Sequence, residues 1–214
     1  MKSKLLTALL IAALMLFAIS AGIAAPILSR PFYLAHVRAL DLPAQTGRSE
    51  DAIMAAYDDV MRFCLHGGEF STGALRWTET GRTHFADVGV LFRLDLRLLL
   101  LSAGAIVILL IVSRFIKPAR PLGRGPSFWA GWSVLALFAG IGVWGASDFD
   151  RAFTVFHHVF FPGKTNWLFD PAQDEIITIL PEVFFRNCAL LAIGVISAIC
   201  IVWILLGRKK KEHE

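Results

Sequence analysis

Residues 94–116 read LDLRLLLLSAGAIVILLIVSRFI, and no ionisable side chain falls between Arg97 and Arg114. The apolar residues form a run instead of recurring at spaced positions, so a helix built from them is apolar on every face. At a rise of about 1.5 Å per residue, roughly 20 such residues cross the ~30 Å hydrocarbon core of a bilayer. Three further stretches have the same character and length: Leu5 to Ala25, Phe128 to Ala146 and Phe184 to Leu206. The chain has 214 residues, 56% of them hydrophobic, with a mean hydropathy of +0.62. A soluble domain this short has too little interior to hide that much apolar surface. The fold class is therefore an all-α integral membrane protein with four transmembrane helices.

The net charge of +4 is not a nucleic-acid signature, because the basic residues sit at span ends. Lys2 and Lys4 precede the first span. Arg114, Lys117, Arg120 and Arg124 crowd the link between the second and third. Arg208, Lys209, Lys210 and Lys211 follow the fourth. The positive-inside rule places all three clusters in the cytoplasm. A single membrane domain over residues 1–214 follows, with cytoplasmic segments 1–4, 117–127 and 207–214 and extracytoplasmic segments 26–93 and 147–183. The small residues from Ser20 to Ala25 also fit a signal-peptide cleavage region. The apolar run is long for one and lacks a sharp cleavage motif, so a retained span is the expectation. Cys188 and Cys200 fall in the fourth span and only Cys64 lies outside, which excludes a disulfide between the outer loops and any cysteine metal motif.

The first outer loop is long enough to carry structure of its own. Ser49 has the character of an N-cap, with Glu50 and Asp51 in the first turn. Ile53, Met54, Tyr57, Val60, Met61 and Cys64 then recur at helical spacing until Gly67-Gly68 stops the helix. The Gly- and Thr-rich stretch Phe70 to Thr83 predicts a short hairpin. From Phe85 the sequence reads as a helix running into the second span, with Thr83 as an alternative N-cap. At the mouth of that span, Arg93 and Arg97 are either snorkelling anchors or a patch for an anionic head group. Gly131, Gly140, Gly142 and Gly145 suit close helix contact in the third span. Trp129, Trp132, Trp144, Trp167 and Trp203 fit an interfacial belt.

Two segments carry chemistry, both expected on the outer face: Thr83-His84-Phe85-Ala86-Asp87-Val88 and Phe156-His157-His158-Val159-Phe160-Phe161. Histidine exchanges protons near neutral pH. Phenylalanines around a histidine lower its pKa and keep it a neutral base. Asp87, three residues after His84, is placed to orient that ring. No Gly-x-Ser-x-Gly elbow and no His-Glu-x-x-His motif occurs. His84, Asp87, His157 and Asp174 are the residues a divalent metal would use. Cys64 beside His66 is expected to pack, and His36 and His213 to be solvated.

His84-Phe85-Ala86-Asp87-Val88, Phe156-His157-His158-Val159-Phe160-Phe161 with the following Trp167-Leu168-Phe169-Asp170, and Pro181-Glu182-Val183-Phe184-Phe185 together resemble the lipoprotein intramolecular transacylase family of small bacterial membrane proteins. The resemblance spans nearly the whole chain. It implies a multi-pass protein of the bacterial cell membrane with both termini cytoplasmic and the active site facing outward. Its partners would be diacylglyceryl-modified lipoproteins and membrane lipids. The implied reaction moves the sn-2 acyl chain from glycerol to the α-amine of the lipoprotein's N-terminal cysteine, giving a lyso form, with no cofactor and no metal. His84 and His157 would be the catalytic pair. His158 falls at a variable position. Asp87, Asn166 and Asp174 would support or orient, with Asn166, Lys164 or backbone near Gly163 as oxyanion donors. Arg93, Arg97, Lys164 and Trp167 would bind substrate or lipid. Two other classes fit parts of the pattern: a metal-dependent membrane lipid hydrolase and a non-catalytic membrane scaffold. The lack of a charge deep in any span argues against a transporter.

Overall fold

The computed structural model describes residues 2–208, so the expectations placed on Lys209, Lys210, Lys211 and His213 lie outside the described residues. Those residues form α1 (Lys4–Leu28), α2 (Arg30–Ala39), α3 (Leu42–Thr46), α4 (Glu50–His66), α5 (Glu79–Phe115), a single 3-10 turn (Pro121–Gly123), α6 (Pro126–Ser147), α7 (Phe149–Phe160), α8 (Ile176–Ile179) and α9 (Glu182–Leu206). Helices α1, α5, α6 and α9 are long and apolar enough to cross a bilayer. The chain divides into two compact units. One comprises the described residues of Met1–Ala25, Asp95–Ala146 and Leu190–Glu214, and the other Pro26–Leu94 and Ser147–Ala189.

The first unit holds the apolar lengths of the four long helices. Ala18, Val134, Ile196 and Cys200 form its buried centre. Small residues set the spacing. A Cβ at Gly22 would strike Ile196 and come within 2.8 Å of the Ala192 carbonyl oxygen, and one at Gly131 would come within 2.7 Å of the Cys200 oxygen. The third-span glycines singled out from sequence thus divide: Gly131 permits a close approach, whereas nothing lies near Gly140. Only 6% of the most apolar window of α5 is buried in the protein, so lipid must cover Leu100, Leu101, Ile108 and Ile111. At one end of this unit the Ser3 N–H donates to the Lys117 oxygen (2.9 Å), and Thr7 Oγ1 donates to the Ala119 oxygen (2.9 Å). There too the Gly125 N–H donates to the Gly207 oxygen (2.9 Å). The described members of all three basic clusters therefore gather at the same end.

The second unit is built around the α4 helix. Ser49 caps it as expected, its hydroxyl accepting from the Ala52 N–H at 3.2 Å. Gly67 ends it at φ +75°, a conformation that favours glycine. Ile53, Met54, Tyr57, Val60 and Cys64 are buried, as their spacing demands. Tyr33 stacks on Tyr57 at 3.8 Å and donates its hydroxyl to the Ile179 oxygen at 2.8 Å, joining α2, α4 and α8.

Several expectations need correction. Phe70 to Thr83 holds no strand among the described residues. Residues 70–78 are irregular, anchored by buried Phe70 and Leu75, with Thr72 Oγ1 donating to the Leu75 oxygen. Helix α5 begins at Glu79, ahead of Phe85, because Asp174 accepts from the Thr78 N–H (2.7 Å) and Thr78 Oγ1 accepts from the Gly81 N–H (3.0 Å). Thr83 is then no cap; its hydroxyl donates back to the Glu79 oxygen. The second outer loop contains α7, capped by Asp148, whose carboxylate accepts from the Arg151 N–H. His36 is half-buried, not solvated: its Nδ1 bonds the Phe32 oxygen and its Nε2 accepts from Asn187 Nδ2 at 2.8 Å.

Candidate active site

Helix α5 places His84 on its second turn, and α7 places His157 in its last. These residues, 73 positions apart in sequence (157 less 84), bring their ring centroids to 5.8 Å with planes at 31°. Both are buried, at 5% and 6% exposure. The surroundings are aromatic. His84 meets Phe161 (5.1 Å) and Phe169 (5.4 Å), and His157 stacks on Trp167 (4.5 Å, 27°) beside Phe153 (4.3 Å). Spacing explains the placement: Phe153, His157 and Phe161 succeed one another at i+4, one face of a helix and its C-cap. The opposite flank of α7 exposes Val155, Phe156, Val159 and Phe160, an apolar face suited to lipid.

His157 Nδ1 lies 2.8 Å from the Phe153 carbonyl oxygen. A carbonyl can only accept, so the neutral ring carries its proton on Nδ1 and keeps a lone pair on Nε2. Burial lowers the His157 pKa, the Phe153 bond opposes that, and nearby His158 adds to the lowering. His84 is lowered further, to about 4, by burial first and then by His157, while Asp87 and Asn166 pull the other way. Both rings are neutral at pH 7.

Asp87 does not bond either ring. Its carboxylate takes Lys164 Nζ (2.6 Å) and Asn166 Nδ2 (3.0 Å). Burial works to raise its pKa, but the bonds from Lys164 and Asn166 outweigh that and hold it below the usual carboxylate range. Asn166 Oδ1 and His84 Nδ1 are buried and make no hydrogen bond of ordinary geometry, although the Asn166 side chain is near enough to the His84 ring to hold its pKa up against burial. Asp174 belongs elsewhere: both its oxygens are taken by Thr78. It starts the helix that carries His84 and orients neither ring.

Arg93 donates to the Cys64 carbonyl oxygen at 2.5 Å, tying α5 to α4, and Arg97 is exposed. Lys164 is engaged by Asp87, and Trp167 is part of the histidine pocket. Cys64 is buried, its thiol pushed up to about 12 by burial, which removes it as a nucleophile. Among the described residues, no three His, Cys, Asp or Glu side chains gather as a metal ion would require. Sequence reasoning missed Phe153 and Thr78, and held Phe169 only as part of the Trp167-Leu168-Phe169-Asp170 motif. The i+4 run through Phe149, Phe153, His157 and Phe161 was the available signal for Phe153; Thr78 had none.

The family model for the lipoprotein intramolecular transacylase Lit matches residues 8–185. The solved structure of membrane-integral Lit from Bacillus cereus is similar at a TM-score of 0.86 and 22% identity, over 94% of this chain and 92% of that one. Two variants of the Bacillus cereus protein, one histidine replaced by arginine or by alanine, are each similar at a TM-score of 0.79 and 21% identity. They cover 94% of this chain and 88% and 90% of theirs. At that identity the likeness is one of fold. No curated protein matches the chain.

Proposed function

Because the chain belongs to the lipoprotein intramolecular transacylase family, we propose that it moves the sn-2 acyl chain of a diacylglyceryl-cysteine lipoprotein onto the cysteine α-amine by histidine acid–base catalysis. The observation that carries this reading is the pair of buried, neutral imidazoles 5.8 Å apart. The amine attacks the ester carbonyl and gives a tetrahedral adduct bearing an ammonium and an oxyanion. His157 Nε2 takes one proton from that nitrogen and hands it to the departing glycerol oxygen as the C–O bond breaks. An amide C–N bond has formed, a glycerol hydroxyl is released, and His157 is neutral again. No water or protein nucleophile enters.

His84, too weakly basic to compete for that proton, offers a neutral N–H to the charged oxygen. Asn166, held in place by the bond from its Nδ2 to Asp87, is the polar neighbour that positions the His84 ring. An α-amine has a pKa near 8, so unassisted it is largely protonated at neutral pH. A positioned proton acceptor contributes about 10² to 10⁴-fold, and tethering donor and acceptor in one molecule supplies much of the rest. The exposed apolar face of α7 suits the acyl chains.

The test is mass spectrometry of lipoproteins in a host lacking other N-acylating enzymes. Wild-type protein yields the lyso form; His157→Ala and His84→Ala lower its rate of formation by roughly 10² or more. Lyso product at the normal rate from either variant ends the assigned roles.

A further inference from the structure

Within the membrane-spanning unit, the start of α6 and the end of α9 lie against each other. A Cβ at Gly207 would collide with the Phe128 backbone nitrogen, and the Gly125 N–H donates to the Gly207 oxygen. Beside this junction is an open groove of about 440 Å³ lined by Arg124, Phe128, Trp132, Ile204 and Arg208. The Arg124 guanidinium carbon stands 4.1 Å from the centre of the Phe128 ring. Arg120 adds a third cation, its Nη2 lying 3.7 Å from where a Gly125 Cβ would be. Among the described residues, the ion pairs are Arg30–Asp58, Arg38–Glu50, Arg48–Glu175, Arg62–Asp59, Arg76–Glu175, Arg82–Glu79 and Lys164–Asp87. None involves Arg120, Arg124 or Arg208. Every one of those pairs is in the other unit.

We propose that this groove is a binding site for an anionic phospholipid, with its phosphate between Arg124 and Arg208 and an acyl chain along Phe128, Trp132 and Ile204. Guanidinium forks match phosphate oxygens two at a time and are more weakly hydrated than ammonium groups, which suits a half-buried site. The apolar floor selects a lipid over a free anion: inorganic phosphate would leave Trp132, 49% exposed, uncovered. That floor continues along helices of spanning length, where an acyl chain is the natural neighbour. The positive-inside rule assigns this basic end to the cytoplasmic leaflet, whose anionic lipids attract such clusters.

The experiment measures thermal unfolding of the full chain in neutral detergent, titrated with short-chain phosphatidylglycerol, the matching phosphatidylcholine, or inorganic phosphate. It is independent of acyl transfer. Phosphatidylglycerol at a hundredfold excess over its Kd raises the midpoint by roughly 5 °C; the other two shift it little. The double variant Arg124→Gln, Arg208→Gln loses most of that rise. An equal rise with phosphatidylcholine overturns the site, and an equal rise with phosphate overturns its assignment to a lipid. Full retention of the rise in the double variant overturns the role of the two arginines. A second measurement needs no arginine variant. The fluorescence lost on Trp132→Phe reports Trp132, and brominated phosphatidylglycerol should quench that component at least twofold more than brominated phosphatidylcholine. Equal quenching overturns the proposal.

Discussion

His84 illustrates how a residue's surroundings alter what its chemistry costs the fold. Its ring sits against Phe161, Phe169 and His157, and its pKa falls to about 4. The unfolded chain has no such surroundings and its histidine titrates near 6.5. Between pH 6.5 and about 4, the unfolded state therefore binds a proton that the folded state refuses, and stability falls as pH falls. His157, lowered for the same first reason, adds to the effect. Depressed carboxylates such as Asp87 and Glu175 lose their stabilising interactions only below the carboxylate range. Glu182, raised by its bond to Asp150, works against the histidines above that range, so the difference between wild type and a histidine variant isolates the ring. The expected outcome is that wild-type protein loses thermal stability on going from pH 7 to 5, and that His84→Gln loses measurably less. Parallel curves for the two would show that His84 is not held neutral. The composition around His157 made this legible in sequence, because alternating Phe and His implied a dry ring. Legibility failed for Asp87, since its choice of Lys164 and Asn166 over His84 depends on a loop that returns 77 and 79 positions later.

The helices separate by how local their determinants are. α4 was readable because both of its ends are written within it: Ser49 caps it, Gly67 stops it, and a single buried face repeats between them. α5 was mis-started because its first turn is fixed by Asp174, 96 positions distant from Thr78. Gly81 belongs to the same device. A Cβ there would meet Asp174 Oδ1, so only glycine lets the carboxylate reach over the first turn. α7 is legible in the sequence: Asp148 caps it, and Asp150, Arg151, Thr154, His157 and His158 recur at helical spacing, leaving Val155, Phe156, Val159 and Phe160 exposed. Removing the cap should act on α5 first. Asp174→Ala is expected to cost about 1–2 kcal/mol of stability, as loss of an N-cap does. Amide exchange over residues 79–85 should quicken, loosening the turn that carries His84, while exchange over residues 53–64 of α4 is unchanged. Thr78→Ser, which keeps a hydroxyl for Asp174 and Gly81, should exchange as wild type. Uniform acceleration through both helices would show that Asp174 supports the whole unit and not the α5 start.

At the scale of the whole molecule, composition alone identified four spans, because the bilayer requires length and apolarity before it requires any particular packing. Contacts between the spans were not legible in that way. Gly22 and Gly131 admit neighbouring backbone while Gly140 meets nothing, a distinction that depends on helix rotation and not on residue type. Sidedness rests on charge. Ser3 bonds the link at Lys117 and Gly125 bonds Gly207, so the basic clusters around these residues share one end of the spanning unit. One common end is what the positive-inside rule needs to put that end in the cytoplasm without conflict. The native cysteines make the assignment measurable, since Cys64 and Cys200 are buried and Cys188 is partly so. With Cys188→Ser as background, a cysteine at exposed Thr165 should react with a membrane-impermeant maleimide in intact cells. One at exposed Leu122 should react only after the membrane is opened. The reverse pattern would turn the histidine pair toward the cytoplasm, away from the leaflet where the proposed lipoprotein substrate is displayed, and the acyl-transfer reading would fall with it.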